Sequence, residues 1–530
     1  MTKPVKTKTK PIIMQLHIKA IILISLVGLA SCIQKTLHEE GPYYEKSVVF
    51  PADLNLEEKI KMAAKVVPDS LQLTWQQLEM TAFIHFNINT FTGLEWGDGT
   101  ESPELFNPSE FDARQWARII SESGLKMIIL TCKHHDGFCL WPTKTTDHSV
   151  KYSPWRSGRG DVVKEVKEAC DDFGLKFGIY LSPWDRNAES YGNSPAYNSF
   201  FMEQLKELLT WYGKVDEVWF DGANGEGPNG KVQVYDWKAY YSLIERYQPQ
   251  AVTAIMGEDI RWVGTESGYG RETEWSVSAL APGGGQESKA TNEKLGLRAT
   301  SEDLGSRELI NKANKLYWYP AEVDVSIRPG WFYHKEENDK VKSLEKLFDI
   351  YINSVGRNAV LLLNIPPDTR GLINENDARR LKELKAYLDT TFEENIVFRA
   401  FTKFKGARKS VDGDGRTYTY VEKFPAEIEY KFPFIKDFNL FMIQENIAKG
   451  QRIEEFKLES YLNDDWVELA SSTTVGYKKL LQFPVTSSDR IRLTILKSRD
   501  NAMITEIGLF ITPDQAAENE EQVVIESNFP

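Results

Sequence analysis

KMIILTCKH (126–134), GDVVKEVKEACDDFG (160–174), KFGIYLSP (176–183), SFFMEQLKELLTWYG (199–213) and DEVWFDG (216–222) follow one another as apolar strands separated by amphipathic stretches of helical length. The strands are continuously apolar, so both faces of their sheet are buried, and strand–helix alternation makes that sheet parallel. The pattern extends outward. TAFIHFNIN (81–89) leads to the helical DARQWARIISESG (112–124), and AVTAIMG (251–257), the helix KVKSLEKLFDIYINSVG (340–356) and NAVLLLNIPP (358–367) follow downstream. Less regular strand candidates at 272–275 and 317–325 bring the count close to the eight of a closed barrel. The first strand ends in HFNINTF and lacks the glycine-rich turn of a dinucleotide-binding sheet. Polar residues instead close several different strands: His85, His134, His135, Tyr180 and Asp221. A barrel brings such positions together in one axial pocket. The expected fold is α/β, a (β/α)8-like TIM barrel over residues 71–390 followed by a C-terminal β-sandwich.

The second part of that expectation comes from residues 395–515, where TYTYVEKF, AEIEYKF, DWVELASS, KLLQFPV, DRIRLTILKS and AMITEIGLFI succeed one another without a long helix. A polar tail, 516–530, follows. At the other end, a basic opening and the apolar run AIILISLVGLA precede Leu29-Ala30-Ser31-Cys32. The run is too short to span a bilayer and fits a signal peptide over residues 1–31. Small residues before Cys32 resemble a bacterial lipobox. Cys32 is therefore expected to carry a lipid anchor, with residues 32–70 as a linker, on an exported protein of the periplasm or outer membrane of a Gram-negative bacterium.

The first 31 residues hold five Lys and no acid, so the net charge of −13 becomes −18 from Cys32 onward. That balance opposes nucleic-acid binding. Besides Cys32 there are Cys132, Cys139 and Cys170, too few for a disulfide scaffold. Neither a phosphate cradle nor any other cofactor motif is evident, and the oligomeric state is not legible.

Asp221, at the exit of an apolar strand and followed by Gly222, is the strongest single candidate for chemistry. Glycoside hydrolysis with retention needs a second carboxyl about 5 to 5.5 Å away that holds a proton at rest. Glu258, Asp259, Glu266, Glu272, Glu274 and Glu322 are available, and spacing does not choose among them. Glu266 lies in RWVGTESGYG, where aromatics and glycines allow both desolvation and access. His85, His134 and His135 with Asp136 or Asp221 make a metal-dependent barrel hydrolase the rival reading. Adjacent histidines on a strand end point in opposite senses unless the strand has already ended, which favours hydrogen bonding to sugar hydroxyls and no metal. Trp219, two residues before Asp221, shares its face.

HFNINTF, ILTCKHHDGFCLWPTKTTDHSV, GIYLSPWDR, EVWFDGANG, RWVGTESGYG, EVDVSIRPGWFYH and NAVLLLNIPPDTRGLI together resemble the α-L-fucosidases of glycoside hydrolase family 29 over about residues 70–375. The resemblance implies a retaining, exo-acting enzyme with Asp221 as nucleophile and His85, His134 and His135 on the sugar. Glu95 and Trp141 join that contact shell by the same comparison. WVGTESG resembles the branch acting on α-1,3 and α-1,4 fucosyl links in branched glycans, with Glu266 as acid/base and Glu322 and Trp331 as pocket or leaving-group contacts. The implied partner is a fucosylated oligosaccharide or glycoconjugate. An α-L-galactosidase on the same scaffold is the near alternative, because an apolar wall rejects an added hydroxyl only moderately.

Overall fold

The computed structural model describes residues 42–513 together with Met1. The signal segment, Cys32 and the tail 516–530 lie outside these residues, so the anchor expectation does too. Among the described residues no helix is long and apolar enough to cross a membrane.

Eight parallel strands form the barrel: β1 Met80–Ile84, β2 Met127–Lys133, β3 Lys176–Leu181, β4 Glu217–Phe220, β5 Val252–Ile255, β6 Arg261–Trp262, β7 Ala321–Ser326 and β8 Ala359–Asn364. Their order is β5-β4-β3-β2-β1-β8-β7-β6, the sequential winding of a TIM barrel. The seam between β5 and β6 is closed by a single parallel bridge, Ala254 to Ile260, with Ile255 N–H donating to the Ile260 carbonyl at 3.0 Å.

Three expectations are corrected here. Residues 272–275 are not a barrel strand; the two-residue β6 lies instead within RWVGTESGYG. The 317–325 segment divides into Lys315–Trp318, which belongs to a small antiparallel sheet, and β7. The sheet is completed by Ser47–Val49 and Val277–Ser278, so residues 42–70 contribute a strand and the helix Leu56–Ala63 to a folded layer, rather than acting only as a linker.

Helices Ala113–Glu122 (α1), Val162–Phe173 (α2), Ser194–Trp211 (α3) and Trp237–Tyr247 (α4) follow the first four strands; Leu344–Ser354 (α5) and Glu375–Phe392 (α6) follow β7 and β8. No helix separates β5 from β6. Asp112 and Asp161 start α1 and α2 by accepting backbone N–H groups of the first turn. Trp116, Ile120, Val163 and Val166 bury one face of these two helices against the barrel. Each such large side chain contributes about 1.5–3 kcal/mol of hydrophobic stabilisation.

Alternation along each strand divides the barrel into two cores. Ala82, Ile128, Val218 and Leu361 face the helices, while Phe83, Ile129, Tyr180, Trp219, Ala254 and Leu362 fill the barrel interior. Continuing the inward parity by one step brings His85, Asp221, Asp324 and Asn364 to the C-terminal rim.

The β-sandwich is built from β9 Thr419–Val421, β10 Ala426–Glu445, β11 Ile453–Leu462, β12 Asp465–Ser472, β13 Lys479–Ser498 and β14 Ala502–Phe510, in order β9-β14-β10-β13-β11-β12. KLLQFPV and DRIRLTILKS, expected as separate strands, are one bent strand. Register shifts between Lys431 and Lys436 and between Phe438 and Leu440 let β10 and β13 pass from one layer to the other. Phe441, Ile443, Phe456, Leu458, Ile491 and Leu493 fill the space between the layers. The sandwich grips the segment before Val277: Gln451 donates to the Glu274 carbonyl at 2.9 Å and accepts from Ser276 N–H at 2.7 Å, and the Lys479 ammonium donates to the Glu272 carbonyl at 2.6 Å.

Candidate active site

Asp221 follows β4 directly, at the barrel mouth, with its side chain 24% exposed. One carboxylate oxygen accepts Ala223 N–H at 2.7 Å and the other accepts the Tyr180 hydroxyl at 3.1 Å. Burial, and then the adjacent Asp221 charge, push the Tyr180 phenol well above its ordinary range, which keeps it a donor.

The three histidines converge, and a bulge explains why adjacent ones can. A register shift between Thr131 and Lys133 ends the regular pairing of β2 with β3, so His134 and His135 stand beyond strand alternation. His134 packs against His85, with ring centroids 5.6 Å apart, and parallel to Tyr180 at 5.7 Å. His135 Nε2 lies 3.8 Å from Asp221 Oδ2, too long for a hydrogen bond. Ser182 donates its hydroxyl to the Trp184 carbonyl, so the 2.7 Å contact between His135 Nδ1 and Ser182 Oγ makes that nitrogen the N–H donor.

The same logic fixes His85. Asn364 gives its amide N–H to the Trp331 carbonyl and to Ser326 Oγ, so its oxygen accepts from His85 Nδ1 at 2.8 Å and Nε2 is left as an acceptor. Burial lowers the pKa of all three rings, that of His85 to about 3 and that of His134 well below its ordinary value. Protonation of His85 therefore requires a pH near 3, not near 6.5. In histidine-labelled protein, the His85 imidazole is expected to stay neutral from about pH 5 to 8, in the Nδ1–H tautomer, by long-range 1H–15N correlation. A titration midpoint near 6.5 for that ring would contradict the arrangement.

Glu266 rides on the loop after β6. Gly264 (φ +104) and Gly268 (φ +84) flank it, and a Cβ on Gly264 would come within 2.7 Å of the Ala299 carbonyl oxygen. The exposed Glu266 carboxylate accepts Trp331 Nε1 at 3.2 Å. Asp221 and Glu266 both wall a cavity of about 440 Å³, with Trp219, Trp262 and Asp324 beside them. It extends across the β5–β6 seam to Leu280, Arg298 and Tyr319. Ile255, on that wall, has φ +66, a conformation that strains a β-branched residue.

The remaining candidates fall in different places. Glu95 accepts Trp331 N–H at 2.8 Å and contacts His334 Nε2 at 2.7 Å, so its carboxylate fastens the 331–334 turn. Trp331 packs on His85 with centroids 5.1 Å apart. Trp141 is corrected: it is fully buried between barrel and helices, and its indole donates to Glu207 on α3 at 2.8 Å. Glu322 is corrected as well, since it lies inside the barrel beneath Trp219, whose Nε1 donates to it at 2.7 Å, and it does not reach the cavity.

Asp324 and Asn364 are rim residues that the sequence reading missed. Each was legible from the inward parity of its strand, two residues beyond Glu322 and Leu362. Trp262 Nε1 donates to Asp324 at 2.7 Å, and burial raises that carboxyl to about 7. Trp96, 54% exposed, stands edge-on to His135 and Trp184. Among the described residues no three His, Cys, Asp or Glu side chains are arranged to hold one metal ion.

Residues 65–393 match the family model described as Alpha-L-fucosidase. The chain is 41% identical to "Alpha-L-fucosidase 1" of Arabidopsis thaliana, over 84% of this chain and 87% of that protein. It is 55% identical to a Bacteroides ovatus protein of known crystal structure, covering 90% of this chain and 79% of that one with a TM-score of 0.84. A Ruminococcus gnavus GH29 fucosidase solved in complex with fucose is 31% identical over 85% of this chain and 95% of its own, with a TM-score of 0.75. With its barrel, its rim of histidines and carboxylates and these likenesses, the chain is a glycoside hydrolase and belongs to the α-L-fucosidases of family 29.

Proposed function

We propose that the enzyme is a retaining, exo-acting α-L-fucosidase that removes α-1,3- and α-1,4-linked L-fucose from branched glycans. The observation that carries this reading is the pairing of Asp221, braced by a phenol and a backbone N–H, with Glu266 on the wall of the same cavity. Asp221 attacks the anomeric carbon as Glu266 protonates the departing glycosidic oxygen. The fucosyl group is then bound to Asp221, and Glu266 takes a proton from water, which displaces Asp221 and restores the configuration. His85 offers an acceptor nitrogen to a sugar hydroxyl, Tyr180 holds the Asp221 carboxylate in line, and Trp331 positions Glu266.

The linkage preference rests on the WVGTESG and EVDVSIRPGWFYH motifs. It is consistent with a cavity that continues past the two carboxyls and leaves room for a branched leaving group. Product-resolved hydrolysis of fucosylated tri- and tetrasaccharides with α-1,2, α-1,3 and α-1,4 links tests it. Release of fucose from the α-1,3 and α-1,4 substrates at least tenfold faster than from the α-1,2 substrate is expected, and the reverse order would sink the assignment. Export with a lipid on Cys32 completes the proposal and places the enzyme at the periplasmic or outer-membrane surface of a Gram-negative cell, where extracellular glycans are met. Metabolic labelling with a fatty-acid analogue, lost in Cys32→Ser, tests the anchor.

A further inference from the structure

Beneath the site lies a feature that the reaction does not use directly. Glu217 at the start of β4 and Glu322 on β7 are 0% and 1% exposed, inside the barrel. Each has one oxygen on a single indole: Trp75 Nε1 donates to Glu217 Oε2 at 2.8 Å, and Trp219 Nε1 donates to Glu322 Oε2 at 2.7 Å. The second oxygen of each, Oε1, is buried without a protein partner. The surrounding interior is apolar, with Met127, Ile129, Val252 and Val360, and the charged groups that act on the two are the acids Asp216, Asp259 and Asp324.

We infer that Glu217 and Glu322 are a proton-sharing carboxyl pair that positions Trp219 and, through Tyr180, the nucleophile Asp221. A buried carboxylate with one neutral donor and no cation is too costly to keep charged, and a second buried acid acting on it raises that cost. A proton held between them supplies the donor that the two orphan oxygens lack. Burial raises Glu217 to about 8, and burial together with the neighbouring Glu217 holds Glu322 well above its ordinary range, in keeping with retention of that proton at neutral pH.

The consequence reaches the reacting atoms in three contacts. With its N–H fixed on Glu322, the Trp219 ring stacks on Tyr180 with centroids 5.1 Å apart at 24°, and Phe83 packs on both rings, 5.0 Å from Trp219 and 5.7 Å from Tyr180. The Tyr180 hydroxyl donates to Asp221. Glu217 and Glu322 are thus positioning residues, and this inference rests on the reading of Asp221 as nucleophile.

The test uses the full chain with an aryl α-L-fucoside. In infrared difference spectra at neutral pH, wild type minus E217Q/E322Q should show a carboxylic-acid C=O band that moves in D2O; if that difference is blank, the shared proton does not exist. Glu322→Gln keeps an acceptor for Trp219 and a donor for Glu217, so kcat should stay within about threefold of wild type. Glu322→Leu frees the indole and should lower kcat about 30-fold, with little change in KM, through misalignment of the nucleophile. An unchanged kcat in Glu322→Leu beside a positive infrared difference overturns the positioning role. The infrared result needs no Leu variant to fold and is independent of Asp221. Failure of the nucleophile assignment would appear separately, as retained activity in Asp221→Ala.

Discussion

Asp221→Ala should lower kcat/KM on every fucoside by about four orders of magnitude, the scale on which loss of a covalent nucleophile is felt. The fold should survive. The side chain is partly exposed at a strand exit, and its removal leaves the Tyr180 hydroxyl and the Ala223 N–H short of one acceptor each, a cost of about 1–3 kcal/mol per group if water does not replace it. Thermal unfolding should therefore stay cooperative. Azide should rescue a smaller variant, Asp221→Gly, by entering the space on the β face, and the product should be the inverted β-fucosyl azide. Activity within tenfold of wild type, or an azide product of retained configuration, would remove Asp221 from its assigned role.

Glu266→Ala should separate substrates by their leaving groups. A glycan whose departing oxygen needs a proton should lose about 10²–10⁴-fold in kcat, the usual range for general acid–base catalysis. An aryl fucoside with an acidic phenol needs no proton to leave, so its first step should slow far less. The covalent intermediate then accumulates because water is no longer activated. Azide, which needs no base, should release it as the α-fucosyl azide, the anomer opposite to that from Asp221→Gly. Equal losses on glycan and aryl fucoside would transfer the acid role elsewhere, and Asp324 would be the first residue to inspect, because it lines the same cavity and burial holds its carboxyl near neutrality.

Much of this architecture was legible along the chain because parallel strands buried on both faces write themselves as continuous apolar runs. Five of the eight barrel strands lie within such runs, and β1 starts one residue before TAFIHFNIN and ends inside it. The two-residue β6 was hidden because so short a strand has no periodicity; the hydrogen bonds from Arg261 and Val263 N–H to the Pro320 and Glu322 carbonyls join it to β7. The bent strand β13 was divided and β10 was cut short at Phe432 for a related reason, since the bulges where they change layers leave exposed residues such as Phe434 and Ile435 that interrupt alternation.

At the site, the strand-end polar residues were readable from position. The fate of Trp141 and Glu322 was not, because both depend on partners far away in sequence: Glu207, 66 residues from Trp141, and Trp219, 103 residues from Glu322. Inward parity along EVDVS gave Glu322 and Asp324 the same face. Depth along the barrel axis, which decides that only the second reaches the cavity, is set by strand stagger and leaves no mark in local sequence.

The glycine-flanked loop of Glu266 has an unequal relation to the rest of the enzyme. One carboxyl is built into the frame of the barrel, whereas the other is suspended on a loop tied to β7 by Val263, to α5 by Gly270 and to the sandwich by residues 272–276. Such a suspended arm can be lengthened, shortened or re-aimed without recutting the cylinder that carries it. Changes of aglycone preference should accordingly be engineered by grafting this arm together with its sandwich moorings, leaving the sugar-holding half untouched.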